Sequence, residues 1–320
     1  MTPELGGIRL LTVTNLYPAE DDPTYGTFVA EQVEALRAHP SVGVVDVLFV
    51  DGRKDNLEYL RAVPEVRRRA RSGRYDLIHA HHGLAGAVSV TQRRLPVVVM
   101  YHSGDIDYFR WQRQISRVVA RRAAKNICVA RRDIRQLGQP AIHIPCGLDT
   151  ERFAPRERVA ARHAFGVPEG SLALLFPSRR DRRKKMYSRF EEVREELEVR
   201  GHPVHELRLE NVARERVPEL LAAADVMVMT SVSEGAPVAL MEAMSAGLPV
   251  VATPVGEVEA MIGGVANCRV EEFDRQRFAN AVESLTEDGP RAPAPRSQDY
   301  SQDRTVSALL DVYRDVLERR

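Results

Sequence analysis

The sequence predicts an α/β protein built from two domains on parallel sheets, and three observations carry that expectation. Short apolar runs of β type alternate with longer helical patterns along most of the chain. The strand runs are apolar without a clean alternation, which marks sheets covered on both faces. The alternation pauses once, at CGLDTERFAPRERVAARHAFGVPEGS, and then restarts. At 320 residues the chain has room for two domains of ordinary size.

In the first half the strand candidates are IRLLTVT (8–14), VVDVLFV (44–50), DLIHA (76–80), PVVVMY (96–101), KNICVA (125–130) and AIHIP (141–145). Helical patterns lie between them over Thr27–Ala38, Leu57–Arg71 and Ile106–Ala124. The pause places a linker near residues 148–160. Strands resume at LALLFP (172–177), HPVHELRL (202–209), DVMVMT (225–230) and LPVVAT (248–253). The Pro-rich loop EDGPRAPAPRSQDYS then leads into a last helix, Gln302–Glu318, with Val306, Leu309, Leu310, Val312, Tyr313 and Leu317 as its apolar positions. The expected limits are 1–150 and 151–298 for the domains and 299–320 for the terminal helix.

Bulk properties exclude several classes. Lys and Arg number 46 against 45 Asp and Glu, so the net charge of +1 offers no global field for nucleic acid, and any anion site must be local. Cys128, Cys146 and Cys268 are odd in number and far apart, which fits a reducing cytoplasm and argues against a zinc site or disulfide framework. The first apolar run, Ile8–Val13, is too short for a secretory leader. The most apolar window, Val238–Val255, is broken by Glu242, Gly247, Pro249 and Pro254, against a membrane span.

In doubly wound folds ligands bind beyond the carboxyl ends of the strands, so the loops there are where chemistry is sought. The loop SVSEGAP follows strand 225–230 and holds Glu234, Gly235, Ala236 and Pro237. Pro237 suits a first helical turn, Gly247 suits a C-cap, and a helix is expected from about Ala236 to Ala246 with Glu242 in its second turn. Unpaired N–H groups at a helix start form an anion site. Two carboxylates beside a phosphate would repel it, so their partners should be hydroxyls, and a nucleotide sugar supplies phosphate and hydroxyls together. The local alternative is that Glu234 complements the helix dipole and Glu242 pairs with an arginine. Further along the same logic, six of the seven residues Arg179–Lys185 in SRRDRRKKMY are basic, a solvated face or an anion-binding loop.

The segment SEGAPVALMEAMSAGLPVVAT closely resembles the E-x7-E segment of retaining glycosyltransferases with the GT-B fold, of the large family 4 type. Its glutamate spacing, small-residue helix and following G-x-P-V-V strand all agree. The resemblance implies two Rossmann-like domains facing a central cleft, with the C-terminal helix crossing back to the first domain. NLYPAEDDPTYGTFVAEQVEAL is similar to the first loop and helix of such enzymes, which implies that Gly26 faces the donor phosphates, where a missing Cβ lets backbone approach. DLIHAHHGLAG resembles the D-x-x-H-x-H strand end. Such enzymes generally need no metal, so His79, His81 and His82 read as structural or acceptor-side, with no metal site and no cofactor.

VVVMYHSGD puts His102 where the family has a histidine close to the donor sugar. CGLDTERFAP is similar to the linker signature N-G-V-D-x-x-x-F-x-P, with Cys146 in place of the usual Asn. In the family the loop after the first strand of the second domain gives one Arg and one Lys to the donor diphosphate. Lys185 is that lysine in either alignment. A five-residue spacing selects Arg180, while the pattern F-P-x-x-x-x-R-x-x-K selects Arg182, which FPS…K-x-Y favours. The base should be read near RLENVARERVPELL, around Glu210–Val212, with Val212 as the named candidate.

The reading implied is a retaining transfer from a nucleotide-sugar donor to a hydroxyl acceptor, whether glycan, lipid-linked or small molecule. Arg182 and Lys185 neutralise the leaving diphosphate. Glu242 holds the ribose, and Glu234 and His102 meet the transferred sugar. The rivals are a nucleotide-sugar epimerase, which would carry extra acid and base carboxylates, and a non-catalytic scaffold, which would have lost motif residues. A cytoplasmic protein is expected, and the basic helices around Arg67–Arg74 and Arg117–Arg131 leave peripheral contact with an anionic membrane open beside the plainer reading of solvated faces.

Overall fold

The computed structural model describes residues 7–107, 109–286 and 291–319. The chain forms two compact units. Residues up to Gly147, with those from Gln302 onward, make the first, and Leu148–Ser301 make the second.

The first unit runs β1 (Ile8–Thr14), α1 (Thr27–Ala38), β2 (Val42–Phe49), α2 (Leu57–Arg71), β3 (Leu77–His81), α3 (Gly83–Ser89), β4 (Val97–Tyr101), α4 (Gly104–Asp107), α5 (Arg110–Ala120), β5 (Lys125–Cys128), α6 (Arg131–Leu137) and β6 (Ile142–His143). Its six strands are all parallel in the order β2-β1-β3-β4-β5-β6. The expected single helix Ile106–Ala124 is instead two helices and a turn, because Phe109 adopts an extended conformation and caps α5. The two faces of this sheet differ. Leu11, Val13, Ile78, Ala80, Val99 and Tyr101 join one apolar cluster. Their alternates Thr12, Thr14, His79 and His81 are polar and just as buried.

The second unit runs α7 (Arg158–Ala164), β7 (Leu172–Phe176), α8 (Tyr187–Val199), β8 (Val204–Arg208), α9 (Val217–Ala223), β9 (Val226–Met229), α10 (Val238–Ala246), β10 (Val250–Ala252), α11 (Val258–Ile262), β11 (Cys268–Val270) and α12 (Arg275–Glu283). Its sheet is parallel in the order β11-β10-β9-β7-β8. Two apolar layers explain why its strands showed no alternation. In β9, Met227 and Met229 enter one cluster and Val226 and Val228 the other. The stretch expected as linker, 148–160, runs into α7, started by Glu157, whose carboxylate accepts from Val159 and Ala160 N–H at 2.7 and 2.6 Å.

The last helix, α13 (Gln302–Glu318), belongs to the first unit, where it packs on α1. Among the described residues no helix is long and apolar enough to cross a membrane. The three cysteines are free and buried.

Candidate functional site

Strand order reverses at β1/β3 in the first sheet and at β7/β9 in the second, and such switch points open a crevice at the carboxyl ends of the strands. In the second unit the loops leaving β7 and β9 meet there. The Thr230 hydroxyl donates to the Lys185 and Met186 carbonyls at 3.1 and 3.0 Å, and Val232 N–H donates to the Lys184 carbonyl at 2.9 Å. This seam turns the basic loop toward the start of α10. Lys185 Nζ then donates to Glu234 Oε1 at 2.6 Å, and the Ser231 hydroxyl donates to the same oxygen at 2.6 Å.

The helix begins later than expected. Pro237 is its N-cap rather than a first-turn residue, with an extended backbone and no side-chain cap. The opening N–H groups are therefore free of a capping side chain, and the dipole presents partial positive charge beside Lys185. Gly235 is fixed from behind: its carbonyl accepts from Glu257 N–H at 2.9 Å, and a Cβ on Gly256 would stand 2.4 Å from it. Ala236 packs on the apolar layer beneath. Gly247 adopts the left-handed C-cap conformation the sequence suggested.

Glu242 is buried in α10 and forms an ion pair with Arg214, whose guanidinium also lies 4.8 Å from the Phe153 ring centroid. The pairing reading of Glu242 thus holds in this structure, and its partner comes from the segment expected to read the base. Nothing in the sequence spacing announces Arg214, which stands 28 positions away. In that segment Asn211 is left-handed at φ +58, and Val212 packs against the apolar layer. Arg180 pairs with Glu210 at 3.6 Å and lies over the Tyr187 ring. Arg182 is exposed, and its guanidinium makes no hydrogen bond or ion pair among the described residues.

In the first unit Gly26 ends the loop after β1 at φ +66 and caps α1. A Cβ there would stand 2.3 Å from the Leu16 carbonyl carbon and 2.5 Å from Tyr17 N. The glycine is thus required by its own turn, without a ligand. Gly26→Ala should lower the thermal midpoint by about 2–4 °C with no nucleotide present, the equivalent of roughly 1 kcal/mol of backbone strain. Scanning calorimetry checks this, and an unchanged midpoint would return the glycine to a purely ligand-facing role.

His102 follows β4. Its N–H and that of Gly83 are both held by the buried Asp105 carboxylate, at 3.0 and 2.8 Å, which ties the loops after β3 and β4 together. Ser103 is left-handed at φ +59, and its hydroxyl donates to the buried Asp133, whose carboxyl is pushed up to about 6 by burial. His102 Nε2 is hydrogen-bonded to His81 Nδ1 at 3.0 Å. His79 Nδ1 is bonded to the Tyr313 hydroxyl at 2.7 Å. Burial holds His79 and His102 down to about 3 and His81 well below its usual value. His82 accepts instead from Leu84 N–H and starts α3. No group of three or more His, Cys, Asp or Glu among the described residues could hold a metal ion.

Comparison with known proteins assigns the family. The model for glycosyltransferase family 4 matches residues 17–152, and that for glycosyl transferases group 1 matches residues 182–288. The chain belongs to the family 4 type of GT-B glycosyltransferases. This glycosyltransferase is 29% identical to the D-inositol 3-phosphate glycosyltransferase of Pseudarthrobacter chlorophenolicus, over 80% of this chain and 74% of that one. It is 24% identical to the putative teichuronic acid biosynthesis glycosyltransferase TuaC of Bacillus subtilis, over 65% and 60% of the two chains. In fold it is similar to sucrose-phosphate synthase of Thermosynechococcus elongatus, with a TM-score of 0.79 at 17% identity over 98% of this chain and all of that one. It is also similar to HepE of Anabaena in complex with UDP, with a TM-score of 0.70 at 17% identity over 96% and 100%.

Proposed function

We propose that this glycosyltransferase transfers a sugar with retention from a nucleotide-sugar donor to a hydroxyl acceptor, and that the donor sits on the second unit at the start of α10. One observation carries the reading most: Lys185 and the uncapped α10 start place positive charge beside Glu234, while a second carboxylate, Glu242, follows in the second turn of the same helix. A diphosphate takes Lys185, Arg182 and the free N–H groups. Glu234, relieved of Lys185, accepts from hydroxyls of the transferred sugar. Glu242 accepts from the ribose hydroxyls, and Arg214 holds that carboxylate in place. Glu210–Val212 line the base. Solved relatives bound to UDP, to UDP-glucose and to ADP support a nucleotide donor.

The leaving phosphate can take the acceptor proton in such a transfer, so no side chain has to act as attacking base. The protein's part is to stabilise separating charge. The acceptor class named by the curated relatives, an inositol phosphate, is the first to try.

Calorimetric titration with UDP, GDP, ADP and dTDP, without added metal, tests the site in the wild type and in Glu242→Ala. One nucleotide should bind in the micromolar range, about −8 kcal/mol, and lose at least about tenfold in the variant. A folded wild type that binds none of the four would refute the donor site and favour a scaffold that has lost catalysis.

A further inference from the structure

Around α5 the balanced charge of the chain becomes one-sided: Phe109–Arg132 holds eight Arg and Lys and no Asp or Glu. Lys125 pairs with Asp315 and Arg132 with Asp107. Among the described residues Arg110, Arg113, Arg117, Arg121 and Arg122 meet no carboxylate. Arg113 and Arg117 donate to the Ile106 and Gln136 carbonyls, neutral partners that leave their charge in place. The helices packed on α5 do not restore the balance. α3 carries no charged residue, Asp105 of α4 and Asp133 of α6 are fully buried, and α6 adds the exposed Arg131 and Arg135.

Other helices of this chain are dressed differently. Arg61 and Arg68 on α2, Arg194 on α8 and Arg314 on α13 each pair with a carboxylate three or four positions away. Such pairs are the ordinary covering of a solvated helix face, and α5 lacks them.

The outward face of α5 also holds apolar side chains in water. Phe109, Trp111 and Val118 are 55, 50 and 45% exposed. The Phe109 and Trp111 rings lie 6.2 Å apart and within 25° of parallel. Helical spacing puts Trp111 and Val118 on one line along α5, and Arg110, Arg117 and Arg121 on the line beside it. Ser116, Val119 and Ala120 face the core instead. Single exposed apolar residues need no partner, but rings beside unpaired guanidiniums on one helix face suit something both apolar and negative. A bilayer with anionic headgroups offers both in a plane, which a convex helix meets without a matching groove. Rings enter the headgroup boundary there, and arginine stems lie along it with their charges at the phosphates.

We propose that the outward face of α5 is an interfacial binding surface for anionic lipid. Phe109, Trp111 and Val118 enter the headgroup boundary, and Arg110, Arg121 and Arg122 meet the headgroup phosphates. The missing carboxylates set this stretch apart from the other basic one, where Glu65 holds Arg68 and Arg69 and Asp46 holds Arg74. The surface lies wholly on the first unit and is independent of where the donor binds.

The test uses the full chain and vesicles of phosphatidylcholine, with or without about one-third phosphatidylglycerol. The chain should float with the anionic vesicles at low salt and not with the neutral ones. The bound fraction should fall as salt rises toward about 1 M. Trp111 is the single tryptophan, so its emission should shift to the blue on binding and become shielded from an aqueous quencher. Arg110→Gln, Arg121→Gln and Arg122→Gln together should weaken partitioning at least about tenfold. Phe109→Ser with Val118→Ser keeps the reporter and should weaken it at least about fivefold. Arg61→Gln with Arg68→Gln, on α2, should change it less than about twofold.

Absence of flotation with anionic vesicles at low salt overturns the proposal in the wild type alone. So does binding that leaves Trp111 emission unchanged, or that the α2 variant loses as much as the α5 arginine variant. Binding of poly(glutamate) in place of vesicles would mark a surface for an acidic protein. Self-association that shields Trp111 without lipid would mark a second copy of this chain, and either result overturns the lipid assignment.

Discussion

Lowering the pH from 7.5 to 5.5 should cost the first unit about 4 kcal/mol through His79, His81 and the half-buried His102 alone, out of the 5–15 kcal/mol that holds a typical domain together. The sign follows from the direction of the shifts. His79, His81 and His102 have folded pKa values depressed far below 6.5, two of them to about 3. The unfolded chain therefore binds protons that the folded one refuses. The stabilisation is fully present above pH 6.5 and is lost as pH falls toward 3, at about 1.4 kcal/mol per pH unit for each ring. Asp133 acts the other way. Its carboxyl is raised to about 6, so protonation in the folded state returns about 1 kcal/mol over the same interval. The net loss should be about 3 kcal/mol. Trp111, the single tryptophan, lies on α5 in this unit, so its fluorescence during urea unfolding reads the effect directly. A midpoint that did not move between the two pH values would show that the rings meet protons freely in the folded protein.

Lys185 and Glu234 should separate binding from turnover. In the structure they neutralise each other at 2.6 Å, and a donor would take one with its diphosphate and the other with its sugar. Lys185→Ala would remove the charge-assisted contact proposed for the phosphates and should weaken nucleotide binding ten- to a hundredfold, about 1.5–3 kcal/mol. Glu234→Gln removes the competitor for Lys185, so the same free nucleotide should bind as well as or better than to the wild type. Turnover in Glu234→Gln should nonetheless fall by about a hundredfold or more, as for loss of one preorganised polar group at a reaction centre. Titration and initial rates on the same preparations separate the two effects. Weaker nucleotide binding in Glu234→Gln would place the carboxylate's role in the structure of the loop and not on the sugar.

Much of the fold was legible because hydrophobic pattern dominates long elements. β1, α1, α2 and α13 match their sequence limits to the residue, since each combines a clear apolar period with a defined end. α7 was passed over because seven residues with two Arg and one His present no apolar stripe. β11 escaped because it has three residues at a sheet edge. For the candidate site, loop positions were legible and partners were not. Glu234 and Lys185 stand on loops that motif spacing marks, but their pairing depends on β7 lying beside β9. Arg214 could not be matched to Glu242 from the sequence, because contact across 28 residues is set by how β8 leaves its sheet. The His81–His102 bond likewise exists because β3 and β4 are neighbours, with His81 in register with Met100.

The first unit is discontinuous in sequence: its strands are complete by residue 143, yet α13 starts only at Gln302. During synthesis the intervening unit has all of Leu148–Ser301 to fold with, while the earlier one waits for its last piece. At the rate of about 5–20 residues per second at which ribosomes work, that interval is many seconds, far longer than helix formation. For that time the His79 nitrogen that Tyr313 will bond stays open to water, and the polar layer beneath α13 remains unsealed. The final helix acts as a closing latch on an otherwise assembled scaffold, and the nascent chain is most exposed to proteolysis and to unwanted association just before it arrives.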